Sequence, residues 1–280
     1  MTFSGHNLQP TLESTLEQRL AARICVSAPY YALRGVRFDS DLHAFAAAET
    51  ASAGEVGPMT CAEIGRHGAI AGLCAAALNR GDSRRYYHLA QKAECVFFPH
   101  AAPFGTPIAL RAQPITLAAR SAVVSVEARI EDQILAKMEV TYTVLREDLF
   151  TRLFSAHASA NASVRGSYAD YVPLRELGPG KASIDSVPVH ACAGHFEKFP
   201  ALPVAVLMGQ LVRVARSEFP FERFRVTRAN VAADSLAWAG EDVLLEAKPT
   251  KRSAEEWEFD CRANVGGRFI GGMTLGLAPL

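Results

Sequence analysis

His195-Phe196-Glu197-Lys198-Phe199-Pro200-Ala201-Leu202-Pro203, followed at once by Val204-Ala205-Val206-Leu207-Met208, places a titratable ring just ahead of two prolines and an apolar run. Each proline restricts the backbone, so the stretch predicts a stiff loop that opens into a buried helix from Pro203 to about Ser217. A ring able to carry a proton near neutral pH suits a catalytic base when its loop is held in this way. Beyond the helix, Phe224 to Ala232, Asp242 to Ala247, Trp257 to Ala263 and Arg268 to Leu277 are rich in β-branched and aromatic residues and read as antiparallel strands.

The same order of elements occurs earlier in the chain. From Pro58 to Leu78 the residues are mostly small and apolar, with only Glu63, Arg66 and His67 as strongly polar breaks, which predicts a helix buried nearly all round. Tyr86 to Phe98, Pro107 to Leu117, Ala122 to Ile130 and Ile134 to Leu145 then read as strands, with alternation clearest in Lys137-Met138-Glu139-Val140-Thr141-Tyr142. Helix followed by strands, twice over, makes an α+β class with a repeated architecture. Glu147 to about Ser155 fits a short amphipathic helix. The runs 158–163 and Gly178-Pro179-Gly180 have linker composition, so the expected division is 1–150, a linker over 151–180 and 181–280, centred near residue 165.

Composition narrows the function classes. Lys plus Arg equal Asp plus Glu at 29 each, so no global field draws nucleic acid or a membrane surface. The first residues lack a basic region leading into an apolar run, and no later segment stays apolar long enough to span a bilayer, which together predict a cytoplasmic protein. The six cysteines form no Cys-x-x-Cys pair, and the pattern implies neither a metal nor a cofactor. Cys61 and Cys192 stand near the candidate site residues, but their sequence surroundings supply no charge that would activate a thiol.

The segment His-Phe-x-x-x-Pro-x-x-Pro before an apolar helix resembles the active-site segment of the β-hydroxyacyl-acyl-carrier-protein dehydratases, within the hotdog-fold dehydratase and thioesterase superfamily. The resemblance implies a double hotdog: two tandem units, each with a long central helix wrapped by an antiparallel sheet. It also implies a 3-hydroxyacyl thioester as substrate, carried on acyl carrier protein or coenzyme A as in fatty-acid or polyketide metabolism. The chain would then act as a monomeric pseudo-dimer or as an oligomer of pseudo-dimers.

Dehydration requires a base for the proton next to the carbonyl and an acid for the departing hydroxyl. In the family the acid is a carboxylate on the central helix of the neighbouring unit. Here the second helix carries Gly209 and Gln210 in that region, while the first carries Glu63 and lacks the histidine segment. The two defects are complementary, which predicts one composite site with His195 as base and Glu63 as acid. Pro203, Val204, Gly209, Gln210, His67 and Phe199 are the expected substrate contacts, with the thioester oxygen held at the second helix's N-terminus. The family has Gly where this chain has Val204. A structural reading of Glu63, as a partner of Arg66 or of the helix dipole, stands beside the catalytic one, as does His67 as a neighbour supporting Glu63. Arg216, Arg223 and Arg225, with Arg213 and Arg228, form a basic group suited to coenzyme A phosphates or an acidic carrier, or simply to solvent. Two other functions remain open: a thioesterase using Glu63, and a non-catalytic acyl-thioester binding or scaffold protein.

Overall fold

The computed structural model describes residues 16, 18–159, 172–196 and 198–280. The expected boundary near 165, and Glu197 of the histidine loop, lie outside these residues. Twelve strands form one antiparallel sheet: β1 (Arg34–Phe38), β2 (Leu42–Ala46), β3 (Tyr86–Phe97), β4 (Ile108–Leu117), β5 (Ser121–Ile130), β6 (Gln133–Arg146), β7 (Arg175–Gly178), β8 (Lys181–Ile184), β9 (Phe224–Ala233), β10 (Val243–Arg252), β11 (Trp257–Val265) and β12 (Arg268–Pro279). Their spatial order is β1-β2-β4-β5-β6-β3-β9-β12-β11-β10-β8-β7. Read from each edge toward the middle, the two halves follow the same path. They join where β3 pairs with β9, with Lys92 opposite Ala232 and Val96 opposite Arg228.

Each half carries one long helix between its second and third strands: α1 (Cys61–Asn79) and, after the short α2 (Glu147–Leu153), α3 (Val204–Glu218). Thr60 caps α1, its hydroxyl accepting from the Glu63 N–H at 3.2 Å. Both faces of α1 are covered, so its composition reflects close approach more than amphipathicity. A Cβ at Gly68 would overlap Met138, and one at Gly72 would overlap the Tyr142 hydroxyl, which instead donates to the Ala69 carbonyl at 2.7 Å. The helices meet across the middle of the molecule, where Gly65 faces Met208 and Gly209 faces Ala62.

The helix and long-strand expectations agree with these bounds within a few residues. Four strands were not expected. β1 and β2 precede α1, and β7 and β8 precede α3, so the order in each half is two strands, helix, four strands. Gly178-Pro179-Gly180, expected as linker, makes the turn between β7 and β8, with φ of 131° at Gly178 and 62° at Gly180 where glycine is favoured. Among the described residues no helix is long and apolar enough to cross a membrane.

Candidate active site

The histidine loop is held from two sides. Phe196 and Phe199 enter an aromatic cluster with Tyr87 of β3 and Phe150 of α2, whose rings stack at 3.7 Å between centroids. On the other side, the Ser27 N–H donates to the Gly194 carbonyl at 2.8 Å. Gly194 has φ of 76°, and a Cβ there would overlap the Ser27 carbonyl, so only glycine lets the early segment close over the loop.

Between these supports, His195 Nδ1 lies 2.9 Å from the Ala201 carbonyl oxygen. A carbonyl only accepts, so Nδ1 carries the proton and the Nε2 lone pair is left to act. Burial holds the ring down to about 4, partly offset by the Ala201 carbonyl, and His195 is therefore a neutral imidazole at physiological pH. The Tyr30 ring meets it edge-on at 5.0 Å. Burial pushes the Tyr30 phenol up to about 12, against the opposing influence of Arg66, which keeps it protonated.

His195 lines a cavity of about 220 Å³ whose walls come from both halves. The first half gives Gly65, Ile70 and Leu73 of α1, His88 of β3 and Tyr142 of β6; the second gives Val204, Ala205 and Met208 of α3. Exposed Gln91, Lys92 and Asp234 stand in its wall and form a polar mouth. Pro203 is the N-cap of α3 and provides no side-chain cap, so the first-turn N–H groups at Val204 and Ala205 form an uncapped positive helix end beside the cavity.

The other expected residues divide among different places. Glu63 is fully buried, but it is not among the residues lining this cavity; its Oε1 accepts from the Glu49 N–H at 2.9 Å, in the segment before α1. Arg66, named in the structural reading of Glu63, pairs with Glu49 and lies 6.0 Å above the Tyr30 ring. His67 is buried against Arg66, with Nε2 3.0 Å from the guanidinium, and burial and that charge hold it down to about 3. Phe199 belongs to the aromatic cluster outside the cavity wall. Gly209, Gln210 and Arg216 line a larger, more polar hollow of about 840 Å³ with Arg213 and Lys181. There the Gln210 amide oxygen accepts from Arg213 at 2.6 Å.

The basic group is mostly committed within the fold. Arg216 donates to the Phe219 carbonyl at the end of its own helix, Arg213 to the Val172 carbonyl, and Arg228 pairs with Glu256 and Glu258. Arg223 is exposed, and Arg225 borders a shallow hollow beside Leu280. Burial pushes the Cys192 thiol up to about 12 and Cys61 well above its usual range, the latter also through Glu55, so neither is an activated nucleophile. Among the described residues no three His, Cys, Asp or Glu side chains converge on a common point.

Of these cavity residues the sequence marked His195 as a candidate but not Tyr30 or His88. Tyr30 lies far from the histidine segment and His88 lies within a strand, where alternation reports burial without reporting what faces a cavity.

No family model and no curated protein matches the chain. Solved structures do. An acyl-ACP thioesterase from Bacteroides thetaiotaomicron superposes with a TM-score of 0.56 at 11% identity, covering 85% of this chain and 98% of that one. A 12:0-ACP thioesterase from Umbellularia californica gives 0.56 at 12% identity, with 86% and 94% covered. The tesB protein of Mycobacterium avium subspecies paratuberculosis gives 0.52 at 12%, with 94% and 98% covered. At such identities the likeness is one of fold, and it runs over nearly the whole of each relative. The chain is a tandem double hotdog, built on the fold that these thioesterases share.

Proposed function

We propose that this protein hydrolyses an acyl thioester, carried on coenzyme A or an acyl carrier protein, in the cavity beside His195. The observation that carries this reading is the neutral imidazole pinned through Nδ1 to the Ala201 carbonyl, with its other nitrogen available at an apolar cavity. His195 Nε2 takes a proton from water as the water oxygen bonds to the thioester carbonyl carbon. The carbonyl oxygen gains negative charge near the first turn of α3, where the N–H groups and helix dipole stabilise it. Collapse of the intermediate breaks the C–S bond, and His195 returns the proton to the leaving sulfur. Water, thioester and products balance, and no cofactor takes part.

Hydrolysis is favoured over dehydration because dehydration needs a second group to protonate the departing hydroxyl. Glu63, expected to be that acid, is engaged with the segment before α1 and is not among the residues lining the cavity. The structural relatives, which are thioesterases by name, point the same way. In this reading the two halves act together, each supplying part of one cavity, and the second half takes in β7 from the stretch expected as linker.

The test follows free-thiol release and enoyl absorbance together on short acyl, 3-hydroxyacyl and enoyl thioesters. Wild type is expected to release thiol, and His195→Ala to lose about 10²- to 10⁴-fold of that rate, the usual contribution of a general base. Interconversion of hydroxyacyl and enoyl thioesters without thiol release would replace this reading by dehydration. Thiol release that survives His195→Ala and vanishes in Glu63→Gln would move the base to Glu63. Silence in both channels would leave a binding protein.

A further inference from the structure

His88 is a buried imidazole in the cavity wall that the proposed hydrolysis does not use. It is 6% exposed, and among the described residues neither of its ring nitrogens makes a hydrogen bond, although the Tyr86 carbonyl lies near enough to favour the protonated ring slightly. The dominant influence is burial, which holds the group down to about 3, so the ring is neutral, with one donor nitrogen and one acceptor.

The direction of the ring follows from its neighbour. His88 meets Tyr142 edge-on at 6.2 Å between centroids, and the Tyr142 hydroxyl reaches the Ala69 carbonyl of α1. The two side chains therefore share the sheet face turned toward α1, and both line the cavity that His195 lines. The Tyr142 hydroxyl donates to Ala69 and makes no hydrogen bond to the His88 ring. The remaining interior wall is largely Ile70, Leu73, Met138, Val140 and Met208, which offer side-chain carbon and sulfur. An imidazole left without partners is costlier to bury than an apolar side chain of similar shape, so a cavity meant only for alkyl chains gains nothing from it.

We propose that the acyl group held in this cavity bears a hydroxyl or keto oxygen that hydrogen-bonds to His88, so that His88 selects oxygenated acyl chains over plain ones. The inference rests on the thioester reading for the identity of the ligand. The volume limits the group as well. A cavity of roughly 150 Å³ accepts benzene, so the 220 Å³ here suits a short chain rather than a long fatty acyl tail.

The test uses pantetheine ketones in which a methylene replaces the thioester sulfur, so that binding is measured without turnover and without a choice of carrier. The acyl parts are hexanoyl, its 3-, 4- and 5-hydroxy isomers and 3-oxohexanoyl, titrated calorimetrically into the full chain. At least one oxygenated ligand is expected to bind tenfold or more tightly than the plain one. In His88→Leu that preference disappears, while the plain ligand binds within about threefold of its wild-type affinity. In wild type, the ¹⁵N resonances of the His88 ring are expected to move with the preferred oxygenated ligand and stay in place with the plain one. This reading stands alone should His88→Leu fail to fold.

Equal or tighter binding of the plain chain, a preference that survives His88→Leu, unmoved ring resonances, or failure of every ligand to bind would each overturn the proposal. The thiol-release assay separates this from the broader reading. Thiol release with no oxygen preference removes the role of His88 and leaves the hydrolase. An oxygen preference without thiol release keeps His88 as a recognition group and removes hydrolysis.

Discussion

In the proposed hydrolysis the contact that matters most at His195 is the Ala201 carbonyl six residues on, because it sets which nitrogen carries the proton. The loop must therefore hold its shape to well within a hydrogen-bond length, and Gly194 is where that shape is most exposed to mutation. Gly194→Ala puts a methyl group against the Ser27 carbonyl at a left-handed φ, two costs that add. The expected loss is about 2–4 kcal/mol of stability in urea unfolding, with thiol release falling further than the folded fraction does. A variant as stable and active as wild type would show that the 25–31 segment does not brace the loop. The histidine segment was legible because prolines and aromatics crowd around one titratable residue. Its partners were not, since Tyr30 lies more than 160 residues away with no local motif to mark it.

At the scale of elements, α1 shows how close packing outweighs helix propensity. Replacing glycine by alanine within a helix ordinarily gains about 0.5–1 kcal/mol. At Gly72 the added methyl would displace the Tyr142 hydroxyl and break its bond to Ala69, and overpacking of this kind costs about 1–3 kcal/mol. Gly72→Ala is therefore expected to destabilise. Gly81→Ala, where nothing lies within 4 Å, should stay within about 0.5 kcal/mol of wild type. Thermal unfolding of Gly72→Ala decides between propensity and packing, with Gly81→Ala, beyond the end of α1, as the control for losing a glycine outside the helix.

The short α2 acts on the site through Phe150, which is fully buried against Tyr87, Phe196 and Phe199. Phe150→Ala is expected to cost about 3–5 kcal/mol and to loosen the loop, lowering kcat more than it raises KM. The long helices and strands could be read from the sequence because runs of ten or more residues carry a clear period. β1, β2, β7 and β8 span only five or four residues each, and β7 is exposed throughout, so neither length nor alternation distinguished them from loop. In β2, Leu42, Ala44 and Ala46 are buried in alternation, but the exposed Phe45 between them hides that pattern in the sequence.

For the whole molecule, three neutral imidazoles lie in the interior, His88 and His195 at the cavity shared by the two halves and His67 against Arg66. His67, His88 and His195 are held down to about 3, 3 and 4, with burial as the first cause in each. In the unfolded chain these rings take up protons as pH falls through about 6.5, while the folded chain does not until pH nears 4. Between those limits the unfolded state binds more protons, so stability declines as pH falls, by at most about 1.4 kcal/mol per pH unit for each ring. Above about pH 7 both states hold neutral rings, and this contribution no longer varies. Asp39, Asp82 and Asp185 are held below their usual carboxylate range by hydrogen bonds, so their protonation lies on the acid side of this window. Urea unfolding from pH 7.5 to 4.5 is expected to show a plateau and then a decline, with a shallower decline in His88→Leu because one proton-binding site has left the balance. Equal slopes for wild type and variant would mean that the His88 ring takes up its proton in the folded protein as readily as in the unfolded chain, and the cavity wall around it would then have to be open to water.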